Sequence, residues 1–252
     1  MLASRRFFLS RAKMLGFLDK LETVDSTARS LYIPSRLSYL EAEHSLKKVL
    51  ETPDIASNMT ELAASSATGA AIFWGSSRKC LILPPFPITE ELFTWGYAVE
   101  PLRALLRHDF SVALILVRLG AYAIGLCQGE SLIVSKVGTG LVHGRHKKGG
   151  SSQHRFQRHR EKQIESFLNR VCCHAKENLE SQVHTLDYLV YGGARTTILS
   201  LQKRCSFLQQ FDSRTQAPLL NIPDPRQAVL EAAVKRVWSS NLIEWYEQEV
   251  ST

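Results

Sequence analysis

The sequence predicts an α+β protein in which helices pack on a mixed β-sheet. Three runs of β-branched and apolar residues, Phe110–Val117, Ala121–Leu126 and Leu132–Val137, alternate with glycine turns, a pattern typical of an antiparallel meander. The segment His154–Leu179 then lacks glycine and proline, and its apolar residues, from Phe156 onward, recur every three or four positions, which predicts one long amphipathic helix. A later strand, the turn Gly192-Gly193 and a helix add an α/β element beside the meander.

The other elements follow from local patterns. Met14–Glu22 has the apolar spacing of a helix, and Arg36–Ser66 reads as a helical hairpin broken near Pro53. Ala70–Trp74 and Lys79–Leu83 read as paired strands around a Gly-Ser-Ser turn. The remaining predictions are strands at Ala28–Pro34, Thr185–Tyr191 and Pro218–Ile222, and helices at Val99–Leu106, Ala194–Lys203 and from Asp224 onward.

Length and composition indicate a globular protein. A chain of 252 residues with 44% apolar residues is long enough for one large domain or two small ones. We expect residues 1–106 to form a helical and β region that packs on the core, and residues 107–252 to form the main domain with a C-terminal helix. The longest apolar runs are far shorter than the roughly 20 residues that cross a bilayer, so we expect a soluble protein that binds no membrane. The cysteine pattern predicts a cytoplasmic protein. We also expect a monomer.

The cysteines and the first residues leave further expectations. Five cysteines without a Cys-x-x-Cys pair predict reduced thiols, with Cys172 and Cys173 packing on a helix rather than reacting.

The first eighteen residues are basic, contain no acid and include Phe7 and Phe8, which suits an organellar presequence. A start at Met14 is the alternative, and both interpretations stay open.

Most of the net charge lies in one segment. Of the formal charge of +7, six units lie between His143 and Arg170, where eight Lys and Arg residues face two Glu residues. Such a local basic segment favours contact with a phosphodiester backbone, although a solvated charged loop has the same composition.

The basic segment joins a predicted strand to the start of the long helix. Gly149 and Gly150 lack a Cβ and allow the backbone to approach a ligand closely, and free amides at the helix start favour an anion. Arg155 and Arg158 near a helix start oppose the macrodipole at a cost of about 0.3 to 1 kcal/mol each. A locally unfavourable arrangement indicates a partner.

This segment resembles the Gly-Gly-Gln segment and following helix of the archaeal and eukaryotic class-1 peptide-chain release factors. The likeness extends over about residues 108–245 and is greatest to the Vms-type release-factor-like proteins, in which Gly-x-x-Gln replaces Gly-Gly-Gln. Gly150-Ser-Ser-Gln153 fits that form, whereas an ungapped match through Arg155-Phe156 puts Ser151 at the glutamine position. The residues in which the likeness lies are His143-Gly-Arg145, Gly149-Gly150, Ser152, Arg155-Phe156, Arg158 and Arg160-Glu161.

The resemblance implies the middle-domain fold of those factors and a peptidyl-tRNA hydrolase that frees the nascent chain from stalled large ribosomal subunits. Its partners would be ribosomal RNA and peptidyl-tRNA, with no cofactor and no metal. Gln153 would orient water, and Gly149, Gly150 and Ser151 would complete the catalytic tip. The residues implied in RNA contact are Arg145, His146, Lys147, Lys148, His154, Arg155, Arg158 and Arg160.

Three other functions stay open. Ser151 at the glutamine position suits a ribosome-binding module without catalysis, and Vms-type proteins are also linked to cleavage of the tRNA near its CCA end. The third function is that of a metal-dependent nuclease or hydrolase. It is suggested by four histidines, at 143, 146, 154 and 159, although no carboxylate or cysteine is placed with them. A Ser-His-Asp hydrolase fits poorly because the chain has no Gly-x-Ser-x-Gly turn.

Overall fold

The computed structural model describes residues 2–21, 25, 27–50, 53–142, 144 and 152–247, with backbone alone at 2, 53–54, 152–154 and 247. The strands are β1 Leu2–Leu9, β2 Arg29–Ile33, β3 Ala70–Trp74, β4 Lys79–Leu83, β5 Leu92–Trp95, β6 Ser111–Arg118, β7 Ala121–Gln128, β8 Ser131–Thr139, β9 Tyr188–Gly193, β10 Thr215–Leu220 and β11 Ser240–Glu247. The helices are α1 Arg11–Leu21, α2 Tyr39–Leu46, α3 Pro53–Ala64, α4 Glu100–Arg107, α5 Ser152–Leu179, α6 Arg195–Arg204, α7 Ser206–Gln209 and α8 Gln227–Val237.

The chain divides into two compact units. The first unit contains residues 1–108 and 236–252, and the second contains residues 109–235. Both units combine helices with a sheet, so the predicted α+β class is confirmed. Among the described residues, no helix is both long enough and apolar enough to span a bilayer.

The first unit has an antiparallel sheet in the order β1-β11-β4-β3-β2-β5. One face packs against α1 and α4 through a cluster that includes Met14, Phe73 and Leu102. The other face packs against α2 and α3 through a cluster that includes Leu46 and Ile72. Burying both faces of the sheet gives this unit a core of its own.

Two features of the first unit differ from the sequence-based expectations. The two edge strands were not predicted: β1 is formed by the basic start of the chain, and β5 by Leu92–Trp95. The second predicted region, residues 107–252, includes the C-terminal segment, whereas in the structure β11 pairs with β1 and β4 of the first unit. These partners lie far from β11 in sequence, so no local pattern indicates the pairing. The expectation that the two regions pack together stays a prediction.

The second unit contains the mixed sheet that the sequence predicts. Its order is β10-β9-β6-β7-β8, with antiparallel pairs from β6 to β8 and parallel pairs joining β6, β9 and β10. α5 covers one face together with α6 and α7. α8 lies on the other face, where a Cβ at Gly125 would come within 3.0 Å of a Leu230 methyl group.

A disulfide joins α5 to the end of α6, which corrects the expectation of five reduced thiols. Cys172 and Cys205 are bonded, with their Cα atoms 5.5 Å apart and a sequence separation of 33. The packing of α6 against α5 brings them together, and spacing alone does not reveal it. Cys80, Cys127 and Cys173 are free thiols, and burial raises the pKa of Cys127 to about 12.

Candidate nucleic-acid interface

The C-terminal half of α5 is anchored in the core of the second unit. Its buried side chains pack against apolar residues of β6, β7 and β9; they are Phe167, Leu168, Val171, Ala175 and Leu179. The ring of Tyr122 on β7 lies edge-on to Phe167, 5.9 Å between centroids, and its hydroxyl is hydrogen-bonded to Nδ1 of His174. Burial raises the pKa of Tyr122. These contacts fix the direction of the helix.

The N-terminal half of α5 extends beyond that anchor. The described side chains of α5 begin at Arg155; the first buried one is Phe167, and residues 155–159 are all exposed. Phe156, which the sequence assigns to the apolar stripe, is 63% exposed, so the stripe begins later than predicted. Because Ser152 precedes Phe167 by about four turns, the helix start lies roughly 22 Å along the axis from the anchor.

The exposed turns are basic. Arg155 and Arg158 are exposed, and no acidic residue lies in the first turn. The two carboxylates in the N-terminal half of α5 have partners: Glu161 accepts a hydrogen bond from Gln157 Nε2 at 3.0 Å, and Glu165 forms an ion pair with Arg204 at 2.8 Å. Two guanidinium groups therefore face solvent beyond the core, at a helix start that already carries positive partial charge.

Two glycines bring the preceding strand close to the anchor of α5. A Cβ at Gly138 would lie 2.1 Å from the Tyr122 hydroxyl, and one at Gly140 would lie 2.6 Å from Cδ2 of Phe167. Between them, the carbonyl oxygen of Thr139 accepts a hydrogen bond from Arg170 Nη1 at 3.2 Å. The chain thus leaves β8 beside Phe167 and starts α5 roughly 22 Å away.

The structure describes only part of the predicted site. Arg155, Arg158 and Arg160 lie on α5, the first two exposed and the third half-buried. Gln153 and His154 belong to the first turn of α5, with the backbone alone described. The other predicted site residues lie outside the described residues; they are Arg145, His146, Lys147, Lys148, Gly149, Gly150 and Ser151.

The metal hypothesis concerns residues that are mostly not described. His143 and His146 lie outside the described residues, and the side chain of His154 is not described either. His159 Nε2 lies 3.2 Å from Gln163 Nε2 on the same helix. In the part of the chain that the structure describes, no three His, Cys, Asp or Glu side chains could jointly hold a metal ion.

Sequence reasoning missed the residues that position the loop. Gly138, Gly140 and Arg170 set where the chain leaves the sheet, through the close approaches to Tyr122 and Phe167 and the hydrogen bond to Thr139. The sequence did contain one indication of this role. Gly138 and Gly140 lie at the end of a β-type run, and a glycine in or next to a strand often marks the close approach of another group.

Several known proteins are similar to this chain. It is 31% identical over 119 residues to peptide chain release factor subunit 1 of Thermococcus sibiricus, covering 43% of this chain and 29% of that protein. It is 26% identical over 185 residues to the same-named protein of Aeropyrum pernix, covering 64% of this chain and 50% of that protein. The chain therefore spans half or less of these relatives.

A solved structure and a family complete the comparison. The crystal structure of the archaeal translation termination factor aRF1 aligns over 90% of this chain and 70% of that one, at 19% identity and a TM-score of 0.41. Residues 111–243, more than half of the chain, match the family described as the Actinobacteria/Chloroflexi VLRF1 release factor. The chain therefore belongs to the VLRF1 release factor family.

Proposed function

We propose that this protein is a peptidyl-tRNA hydrolase that frees nascent chains from stalled large ribosomal subunits. The observation that carries the proposal is the position of Gly150-Ser-Ser-Gln153, at the start of a basic helix whose first turns extend beyond the protein core. Membership of a release factor family supports it. A helix whose residues 155–159 are all exposed suits entry into an RNA-lined cavity.

The reaction is hydrolysis of the ester between the nascent chain and the tRNA. Water adds to the ester carbonyl, the bond to the ribose oxygen breaks, and a free peptide carboxyl group and a ribose hydroxyl result. The side-chain amide of Gln153 orients the water, and a backbone N–H of the loop stabilises the developing oxyanion. Gly149 and Gly150 let the main chain reach the tRNA end. Glutamine is no general base, so RNA groups share the proton transfers.

The basic residues hold the tip in place. Arg155 and Arg158 pair with phosphates of ribosomal RNA or tRNA, and the cations and histidines of residues 145–154 add contacts nearer the tip. In this proposal the protein works in the cytoplasm as a monomer without a cofactor.

The test is release from purified stalled large subunits that carry peptidyl-tRNA. We expect Gln153→Ala to slow release by roughly 100-fold while capture by the subunit stays unchanged, because the residue orients water rather than binds RNA. Gln157→Ala is the matched control: it removes an exposed amide one turn away that is bonded to Glu161, and release should not change. Equal turnover of wild type and Gln153→Ala would contradict catalysis by this residue.

Two outcomes would favour the alternatives. Subunit capture by the wild type without any release would indicate a binding module, the function that Ser151 at the glutamine position favours. A released tRNA that lacks its 3′ CCA end would indicate cleavage of the tRNA instead of the ester, so sequencing the tRNA end identifies the bond that breaks.

A further inference from the structure

One row of cross-strand partners in the first unit alternates between tryptophan and a cation. Along the row, Trp95 on β5 pairs with Arg29 on β2, which pairs with Trp74 on β3; Trp74 pairs with Lys79 on β4, which pairs with Trp245 on β11. Residues directly opposite each other in a sheet lie on the same face. At a strand spacing of about 4.8 Å, these five residues cover roughly 19 Å.

The members of the row contact one another. The Arg29 guanidinium lies over the Trp95 ring, 5.2 Å from its centroid, and the Lys79 ammonium lies 6.0 Å from the centroid of Trp74. The rings of Trp74 and Trp245 are 6.0 Å apart and tilted by 58°. Arg29 also donates a hydrogen bond to the carbonyl oxygen of Val49 at 3.3 Å. The row is therefore held in one geometry before any ligand binds.

The row continues into the exposed edge strand. Ser4 on β1 is the register partner of Trp245, and Arg6 and Phe8 follow on the same face of β1. Phe8 is 76% exposed, and the Arg6 guanidinium lies 6.0 Å from the centroid of its ring. We call these residues the aromatic strip; its members are Trp95, Arg29, Trp74, Lys79, Trp245, Ser4, Arg6 and Phe8.

The strip is accessible at both of its ends. Trp95 is 63% exposed at one end and Phe8 at the other, while Arg29, Trp74 and Lys79 are half-buried between them. Trp245 is almost covered and packs with the core under α2 and α3. An exposed indole with a guanidinium over one face can still stack a base on its other face.

The aromatic strip combines aromatic rings with positively charged side chains. None of its eight residues is acidic, and three carry a cation. Glu244, the acid next to Trp245, lies on the opposite face of β11, where it forms an ion pair with Arg78 at 3.1 Å. Glu247, whose side chain is not described, is the one acid of β11 on the face of the strip, at the end of the strand opposite Leu2. Aromatic rings stack on nucleobases of any sequence, and cations beside them neutralise phosphates.

We propose that the aromatic strip binds single-stranded RNA. Bases stack on Trp95 and Phe8, and Arg29, Lys79 and Arg6 contact the phosphates between them. The single-stranded form fits because the bases of a duplex are already stacked on each other. The proposal rests on the strip alone and not on the hydrolase activity; it gives the first unit an RNA contact separate from α5.

The test measures binding of a fluorescent 12-nucleotide oligouridylate by anisotropy. The Arg155→Glu/Arg158→Glu protein serves as the background, so that the cations of α5 do not mask the strip. We expect Trp95→Ala to weaken binding by at least about fivefold, the loss of one base stack, and Trp95→Phe to retain most of the affinity. Added salt should weaken binding of the background protein.

Leu40→Ala is the matched control. Leu40 is 73% exposed on α2 of the same unit and lies outside the strip, so its removal should leave the affinity unchanged. Equal affinity of Trp95→Ala and Leu40→Ala would overturn the proposal, as would a background protein that binds no oligouridylate. Binding of polyglutamate with the same dependence on Trp95 would overturn it in favour of an acidic protein partner. None of these results depends on peptide release, so the RNA-binding proposal and the hydrolase proposal can be contradicted independently.

Discussion

Single glycines decide where the loop of the candidate interface begins. Gly140 has no side chain because the Phe167 ring occupies the place of a Cβ, and Gly138 leaves room for the Tyr122 hydroxyl in the same way. The neighbouring Gly144 has open space around the Cβ position. Close packing therefore requires glycine at position 140, whereas it does not require glycine at position 144.

The glycine at 140 gives a prediction at this scale. We expect Gly140→Ala to lower the free energy of unfolding by about 1 to 3 kcal/mol, since the new methyl group displaces the buried Phe167 ring. Gly144→Ala is the control and should change stability by less than about 0.5 kcal/mol. Urea denaturation of both variants measures the difference; equal stabilities would show that the ring moves aside without cost.

At the scale of elements, α5 is one helix with two functions. Its second half is a core helix whose apolar stripe packs on the sheet, and its first half is a basic, exposed extension. The core half supports the extension because the helix is continuous across Ile164 and Phe167. This division explains how residues that contact no core can still be held in a defined direction.

The exposed cations of α5 give a prediction for RNA binding. Arg155→Glu/Arg158→Glu should weaken capture by large ribosomal subunits at least tenfold and reduce its salt dependence, because two phosphate contacts are lost. Lys13→Glu/Lys20→Glu changes the net charge equally on exposed positions of α1 and is the control. Pelleting with subunits over a salt series measures both. If neither the double substitution nor added salt changes the affinity for the subunits, the electrostatic role of Arg155 and Arg158 is contradicted.

The connection between α5 and α6 gives a second prediction at this scale. We expect the oxidised, unfolded protein to show three reactive thiols, those of Cys80, Cys127 and Cys173, and five after reduction. Reduction should lower the free energy of unfolding by about 2 to 4 kcal/mol. Thiol titration in guanidinium gives the count, with Cys205→Ser as the comparison. Five thiols before reduction would show that the bond does not form.

At the scale of the whole molecule, the chain builds two cores and crosses between them twice. The first unit uses residues from both ends of the chain, since β11 lies between β1 and β4, and the second unit uses the middle. The candidate site on α5 belongs to the second unit and the aromatic strip to the first. RNA contacts in both units would multiply the strength of attachment if both engage at once.

The return of the C-terminal segment gives a prediction about cooperativity. Leu242 is 2% exposed and pairs with Phe7 and Ile82, so Leu242→Ala should destabilise the first unit by about 2 to 5 kcal/mol. In hydrogen exchange, β1, β4 and β11 should lose protection while β6, β7 and β9 keep theirs. Equal loss in both sets would show that the two units unfold together.

The sequence predicted the elements whose patterns are local. The meander from β6 to β8, the long α5 and the hairpin of β3 and β4 were all recognised, because periodicity and glycine turns depend on residues near in the chain. The position of the Gly-x-x-Gln motif just before a basic helix was also readable, and the family match bears out the resemblance on which the proposed function rests.

Other features were decided only by tertiary structure. β11 was missed because its pairing partners lie near the opposite end of the chain and in the first hairpin, and Cys172 meets Cys205 only through helix packing. The row of tryptophans and cations comes from five strands whose register no local pattern contains. Local sequence determines which segments form helices and strands, whereas long-range packing free energy determines which of them become neighbours.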